Sequence, residues 1–330
     1  MKKKRSRRLL KALAVLLALV VVYLGVYVGY GPLRYRAFYD AAQKLDPYCG
    51  VTDGFVPQGM TQYETSGVYL VSGFMSKKLP SRLYVYPPGE DPRCIYLQLP
   101  DGSDYEGHAG GVTAVGGYVY ISNAHKLFVL KTADVLAAKD GDTLAFQSFV
   151  EVPCNASFCS CDGQFLYVGE YHSKDYETDA AHALTFGGEA FAALVFAYPV
   201  APDGALTPDA APTRVFATPD KVQGFAVDGD RAYLSRSAAF YPSSVEVYTV
   251  GGAADTAFSY AGKELPCYVL GKARLVHTMP APHMSEDVEI RGGKLLLGFE
   301  SCAKQSFYGL LPATLRHFVA LDVQGDRGLD

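Results

Sequence analysis

The sequence predicts an all-β chain, a β-propeller of five blades with six as the alternative, preceded by one N-terminal transmembrane helix. Three observations predict it. A hairpin pattern recurs five times, its anchor positions fall 52, 46, 67 and 63 residues apart, and residues 12–33 contain no charged side chain. Propeller blades repeat at about 40–50 residues with four strands each, and differences in length are absorbed in loops.

In chain order, the first element is the helix. Lys2, Lys3, Lys4, Arg5, Arg7, Arg8 and Lys11 open the chain, and 22 uncharged residues follow. At roughly 1.5 Å per residue the run is about 33 Å long, enough to cross a hydrocarbon core of about 30 Å. A cleaved secretory signal is the competing reading, but its apolar region runs about 7–15 residues and ends in a small-x-small site. The run here ends Tyr27-Val28-Gly29-Tyr30-Gly31-Pro32. The expectation is a cytoplasmic basic tail (1–11), an uncleaved single-pass anchor in the cell membrane (12–33), a stalk (34–48) with a short helix over 36–44, and an extracytoplasmic domain (49–330). Basic residues stay on the cytoplasmic side, and Tyr23, Tyr27, Tyr30 and Tyr35 suit an interfacial belt at the outer end.

The clearest hairpin runs from Val112 to Ser122, with Gly116-Gly117 supplying the tight turn and Tyr118–Ser122 alternating aromatic and β-branched residues. Its counterparts start at Gln58, Ala156, Gln223 and Glu286. Third strands are expected at 82–86, 126–130, 194–198, 245–248 and 318–321, and fourth strands at 94–98, 146–150, 214–216 and 274–277. The stretch 132–139 is the one helix-like insertion. No linker composition interrupts residues 50–330, so one domain is expected.

The patterns Gln58-Gly59-Met60-Thr61, Tyr69-Leu70-Val71-Ser72, Ser81-Arg82-Leu83-Tyr84-Val85-Tyr86 and Gly107-His108-Ala109-Gly110-Gly111 resemble, at the level of fold, the broad group of extracytoplasmic propellers that includes the strictosidine synthase, gluconolactonase and NHL-type families. That resemblance implies a propeller over about 270 residues and admits calcium-dependent lactonases, a synthase and pure binding modules. The gluconolactonase-like members hold a metal with acidic and amide side chains at the channel mouth, and this sequence has no full counterpart of that set.

Composition narrows the partners. With the tail set aside, 23 basic residues face 34 acidic ones, a net of −11. An acidic surface repels phosphate backbones, which argues against nucleic acid and favours cationic or neutral ligands. The seven cysteines are odd in number. Cys154 with Cys159 or Cys161, and Cys49 with Cys302, are the pairings considered, with buried thiols as the simpler reading. Cys159-Ser160-Cys161 lacks the second pair a zinc site needs.

An antiparallel hairpin brings the start of its first strand beside the end of its second, so such ends from every blade converge on one mouth of the channel. Gln58, Asn123, Asn155, Gln223 and Arg236 are therefore candidate ligand-binding residues. Glu170, Glu286 and Glu300 are candidate ligands of a divalent cation, Ca2+ being the ion that oxygen donors suit. His108 is a candidate general base or simply a hydrogen-bonded channel residue. Long loops on the same face, above all 171–191, are candidate lids or partner surfaces. No nucleophile elbow, zincin, P-loop or dinucleotide motif is present, and Ser301-Cys302-Ala303-Lys304 lacks the companions of a Ser-x-x-Lys enzyme. The leading expectation is a membrane-anchored propeller binding a small molecule, envelope component or protein at this face. A metal-dependent hydrolase or lactonase is the alternative, and carbohydrate binding by Tyr and Phe ranks third.

Overall fold

Each hairpin is the inner half of a blade. The computed structural model describes residues 2–63, 65–207, 209–239, 241–304 and 307–323. Its inner strands are Phe55–Tyr63, Gly111–Val115, Ala156–Cys161, Val222–Asp228 and Ser285–Arg291. They pair antiparallel with Val68–Met75, Tyr118–Asn123, Phe165–Glu170, Arg231–Arg236 and Lys294–Phe299. Third strands follow at Arg82–Tyr86, Lys126–Lys131, Ala193–Pro199, Ser243–Thr249 and His317–Asp322. Inner strands neighbour one another in chain order and the first meets the last, so five blades close a ring. The second strands are apolar in continuous runs because both faces of each blade are covered by its neighbours. Between blades 3 and 4, for instance, Phe158, Tyr167, Phe216, Phe225 and Leu234 interdigitate.

The two longest intervals hold insertions and no sixth blade. In the last interval the hairpin Thr256–Tyr260 and Lys263–Val269 leaves blade 4 and extends the outer edge of blade 3, with Val215 opposite Cys267 in parallel. The 67-residue interval carries a loop over 171–192 with its own small hairpin, Leu184–Phe186 and Glu189–Phe191. Blade 2 in turn lends Thr143–Ala145 to the edge of blade 1. Such loans cover strand edges that would otherwise stay open to foreign strands.

The stalk reading is corrected. A helix α1 (Lys2–Arg34) leads to a short helix α2 (Arg36–Ala41), after which Ala42–Pro47 forms the outer strand of blade 5 against His317–Asp322. The first strand of the domain thus completes its last blade. The helix expected over 36–44 stops early because 42–47 gain a ladder partner, while Tyr35 and Phe38 bury themselves among Val245, Leu297 and Phe299. Within α1, Leu10–Arg34 is long and apolar enough to cross a membrane, with a mean hydropathy of 2.6 over its most apolar 18 residues, none of them buried. All seven cysteines are free thiols, so neither pairing considered above forms, and Cys154, Cys159, Cys161, Cys267 and Cys302 serve as buried apolar groups.

Candidate functional site

Register shifts interrupt four of the five inner hairpins at the same place, between Pro57 and Met60, Ala156 and Phe158, Val222 and Gly224, and Ser285 and Val288. These are β-bulges, and the residues they set out of register are Gln58-Gly59, Ser157, Gln223 and Glu286-Asp287. A bulge bends its strand and re-aims a side chain. The polar column seen in the sequence is therefore a column of bulges at one mouth of the channel. The glycine after each Gln lets neighbouring inner strands touch: a Cβ on Gly59 would lie 2.4 Å from Val112 N, and one on Gly224 2.5 Å from Val288 N.

At this mouth Glu286 and Glu300 come together. Glu286 is buried, and desolvation, the Glu300 charge and the Asp287 charge raise its pKa well above the ordinary value. Burial pushes Glu300 up to about 7, opposed by the Gln58 amide, whose Nε2 donates to Glu300 Oε2 at 3.0 Å. Among the described residues no hydrogen-bond donor is aimed at the Glu286 carboxylate.

The other expected members are placed differently. Glu170 is buried, but its Oε1 is taken by His182 Nδ1 at 2.7 Å and by Leu194 N at 3.1 Å. Its role is to hold the 171–191 loop against blade 3, assisted by Thr178 Oγ1 donating to Ala192 O. Among the described residues no three His, Cys, Asp or Glu side chains can hold one metal ion. The trio of Glu170, Glu286 and Glu300 is thus not assembled as the Ca2+ reading requires. Arg236 is also committed elsewhere, donating to Glu246 Oε1 at 2.7 Å and to Asp220 O at 2.9 Å. It does not neutralise the glutamate pair.

Asn123 Oδ1 accepts from His108 N at 3.0 Å, so the asparagine shapes the Gly107–Gly111 turn. The His108 ring stacks on Phe74 at 4.4 Å, and desolvation lowers its pKa below 6.5, which leaves it neutral near pH 7. Asn155 is exposed and Gln223 half-buried. Phe240 and residues 305–306 lie outside the described residues.

A second polar cluster had a visible signal that sequence reading left unused. In Glu286-Asp287-Val288-Glu289-Ile290-Arg291, charges at every second position of an inner strand point to the axis. Asp287 and Glu289 are fully buried and Arg291 nearly so. Arg291 Nη2 donates to Glu289 Oε1 at 2.5 Å and Ala114 O at 3.0 Å, Nη1 to Cys161 O at 2.6 Å, and Nε to Gln62 O at 3.1 Å. One guanidinium therefore joins blades 1, 2, 3 and 5 and plugs the channel. Glu289 Oε1 also accepts from Thr113 Oγ1 and from Cys161 N, and burial raises its pKa to about 7 even beside Arg291. Beyond the plug, at the hairpin-turn end of the axis, a cavity of about 650 Å³ is lined by Tyr63, Asp162, Tyr167, Arg214, Asp228 and Arg291 among others. Several of these groups are occupied: Asp162 caps Gln164 N and Phe165 N and accepts from Tyr167 Oη, and Arg214 stacks on Phe165.

No family model matches the chain, and no curated protein matches it. Solved structures do. Glutaminyl cyclase from Myxococcus xanthus is 11% identical with a TM-score of 0.41, over 85% of this chain and 96% of that one. A nidogen/laminin complex is 10% identical with a TM-score of 0.37, over 74% and 72%. A putative 6-phosphogluconolactonase from Bacteroides uniformis is 12% identical with a TM-score of 0.36, over 73% and 63%. With every TM-score below 0.5, these likenesses carry no argument about this chain.

Proposed function

We propose that this chain is a membrane-anchored, extracytoplasmic propeller that binds a ligand at the bulged mouth of its channel, without catalysing a reaction. The ligand brings positive charge or hydrogen-bond donors and is a small organic cation, an envelope component or a protein side chain. The observation that carries the reading is the Glu286–Glu300 pair. Two crowded carboxylates, one of them with no described donor, are held near neutrality by protons, and an incoming cation would replace those protons. Gln58 completes the pair, with Gln223, Asn155, Asn123 and His108 around the rim. The helix over Leu10–Arg34 and the basic residues before it support the anchor. Membership of the strictosidine synthase, gluconolactonase and NHL-like group is part of the same proposal and rests on the sequence patterns alone.

The hydrolase alternative needs a cation with several oxygen ligands at one point, and among the described residues no three His, Cys, Asp or Glu side chains can hold one. One experiment separates the readings. The purified full chain in detergent is melted at pH 7.5 with small amines such as putrescine, with CaCl2 and with chelator, alongside Glu286→Gln/Glu300→Gln and Asp228→Asn. Stabilisation by amines that the double variant loses and Asp228→Asn keeps supports the mouth. Loss with Asp228→Asn instead moves the site to the far cavity. A rise with calcium and a fall with chelator would restore the hydrolase. Anchoring is tested on intact cells, where an impermeant protease digests or releases residues 34–330. Protection until lysis would refute it.

A further inference from the structure

The connection between the second and third strands of blade 5 rises from the same face as Glu300. Its residues 309–313, Gly-Leu-Leu-Pro-Ala, carry no charge, and Leu310 is 64% exposed. This segment lies along helix α1. Tyr23 Oη donates to Leu310 O at 2.9 Å and Tyr27 Oη to Gly309 O at 3.3 Å. Gly31 lets the two backbones approach, since a Cβ there would lie 3.1 Å from the Cβ of Ala313. At about 1.5 Å per residue, Tyr23 sits about 16 Å and Tyr27 about 10 Å along the helix from Arg34, the first charge beyond the apolar run. The segment therefore flanks the outer part of the span itself.

We propose that residues 309–313 form a second lipid-contacting element, seated in the outer leaflet against the span, and that they hold the channel mouth towards the bilayer. This rests on the anchored reading above. Lipid offers no hydrogen bonds, so a loop can enter it only where its carbonyls find donors within the protein. The hydroxyls of Tyr23 and Tyr27 supply two such donors. Small residues at the contact, Gly31 and Ala313, are the type that lets segments pack closely within a membrane. The rest of the face agrees. Outside α1, eight large apolar or aromatic side chains are exposed among the described residues, and Leu79, Tyr176, Phe186, Tyr241 and Leu310 of these lie on loops joining second to third strands. Lys77 and Lys78 stand beside Leu79, where lipid headgroups would meet them. The occupant of this face is a phospholipid surface, and a ligand reaches Glu286 and Glu300 from the bilayer side.

The chain contains no tryptophan, so one introduced Trp reports alone. Full-length Leu310→Trp, Leu19→Trp and Thr65→Trp are reconstituted in phosphatidylcholine vesicles with and without chains brominated near the headgroup and near the terminal methyl. Leu19 lies in the span, and Thr65 lies on the opposite, hairpin-turn face. The expected result is that Leu310→Trp emits at shorter wavelength than Thr65→Trp and loses most of its emission to lipid brominated near the terminal methyl, because its partner Tyr23 lies at the middle of residues 12–33. Leu19→Trp is quenched by the deeper bromine, and Thr65→Trp by neither. Quenching of Leu19→Trp without any at Leu310→Trp would overturn the proposal and leave the anchor intact. No quenching at Leu19→Trp would overturn the anchor and the proposal with it.

Discussion

Replacing Arg291 with Met keeps much of the side-chain volume but removes every donor of the channel plug. Six groups on blades 1, 2, 3 and 5 lose a charged partner: Gln62 O, Thr113 Oγ1, Ala114 O, Cys161 O, Ile290 O and Glu289 Oε1. Removing one member of a buried ion pair costs about 3–5 kcal/mol. Protonation of Glu289, whose pKa is already about 7, keeps the loss from growing much beyond that. In a domain of this size about 1 kcal/mol moves the melting temperature by roughly 2–4 °C, so a fall of roughly 6–20 °C is expected. Urea denaturation of Arg291→Met, Glu289→Gln and the double variant supplies the test. The double change should cost at least about 1 kcal/mol less than the two single costs combined, because an apolar partner no longer faces a carboxylate. Arg291→Lys should fall between, since an ammonium keeps the charge without the fork that spans four carbonyls. A wild-type urea midpoint for Arg291→Met, or strict additivity in the double variant, would show that the ring does not depend on this link.

Stability should fall as pH rises from about 4.5 to 7. Glu300 binds its proton more tightly in the folded chain (about 7) than at its ordinary 4.5, so its contribution is full below 4.5 and lost through 7, about 3 kcal/mol in all. Glu286 and Asp287 act in the same direction, and Glu300→Gln should flatten the urea midpoint measured against pH. His182→Ala leaves the buried Glu170 carboxylate with Leu194 N alone, at a cost of about 1–3 kcal/mol. Limited proteolysis should then cut within 171–191, and an unchanged digestion pattern would mean that the pair does not hold the loop. Gly224→Ala places a Cβ 2.5 Å from Val288 N, and a loss of about 1–3 kcal/mol is expected. A wild-type melting curve would show that blades 4 and 5 have slack at this contact.

The five hairpins were legible because Gly116-Gly117 and Tyr118–Ser122 state turn and strand locally, and the same grammar repeats in each blade. The polar column was legible as well, at Gln58, Gln223 and Glu286. Its cause was not, because a bulge is a relation between two strands and leaves no mark on one. Position in the column also says nothing about neighbours. Glu170 and Arg236 sit where expected but are taken by His182 and Glu246, partners 12 and 10 residues away along the chain. Strand Ala42–Pro47 was illegible for a different reason. Gln43, Lys44, Asp46 and Pro47 have little intrinsic strand preference, and their conformation comes from the exposed edge of 317–322 that they cover.

That covering strand gives the domain an order of assembly. The segment next to helix α1 is synthesised before any blade, yet its partner belongs to the last blade and emerges only after the rest of the ring, so it waits unpaired throughout. Its charges and its proline suit the wait, since they make it a poor template for foreign strands. Once the ladder from Ala42 opposite Leu321 to Pro47 opposite His317 has formed, tension on helix α1 enters the ring at its latch and pulls along the strand. The rungs then resist together instead of opening one at a time.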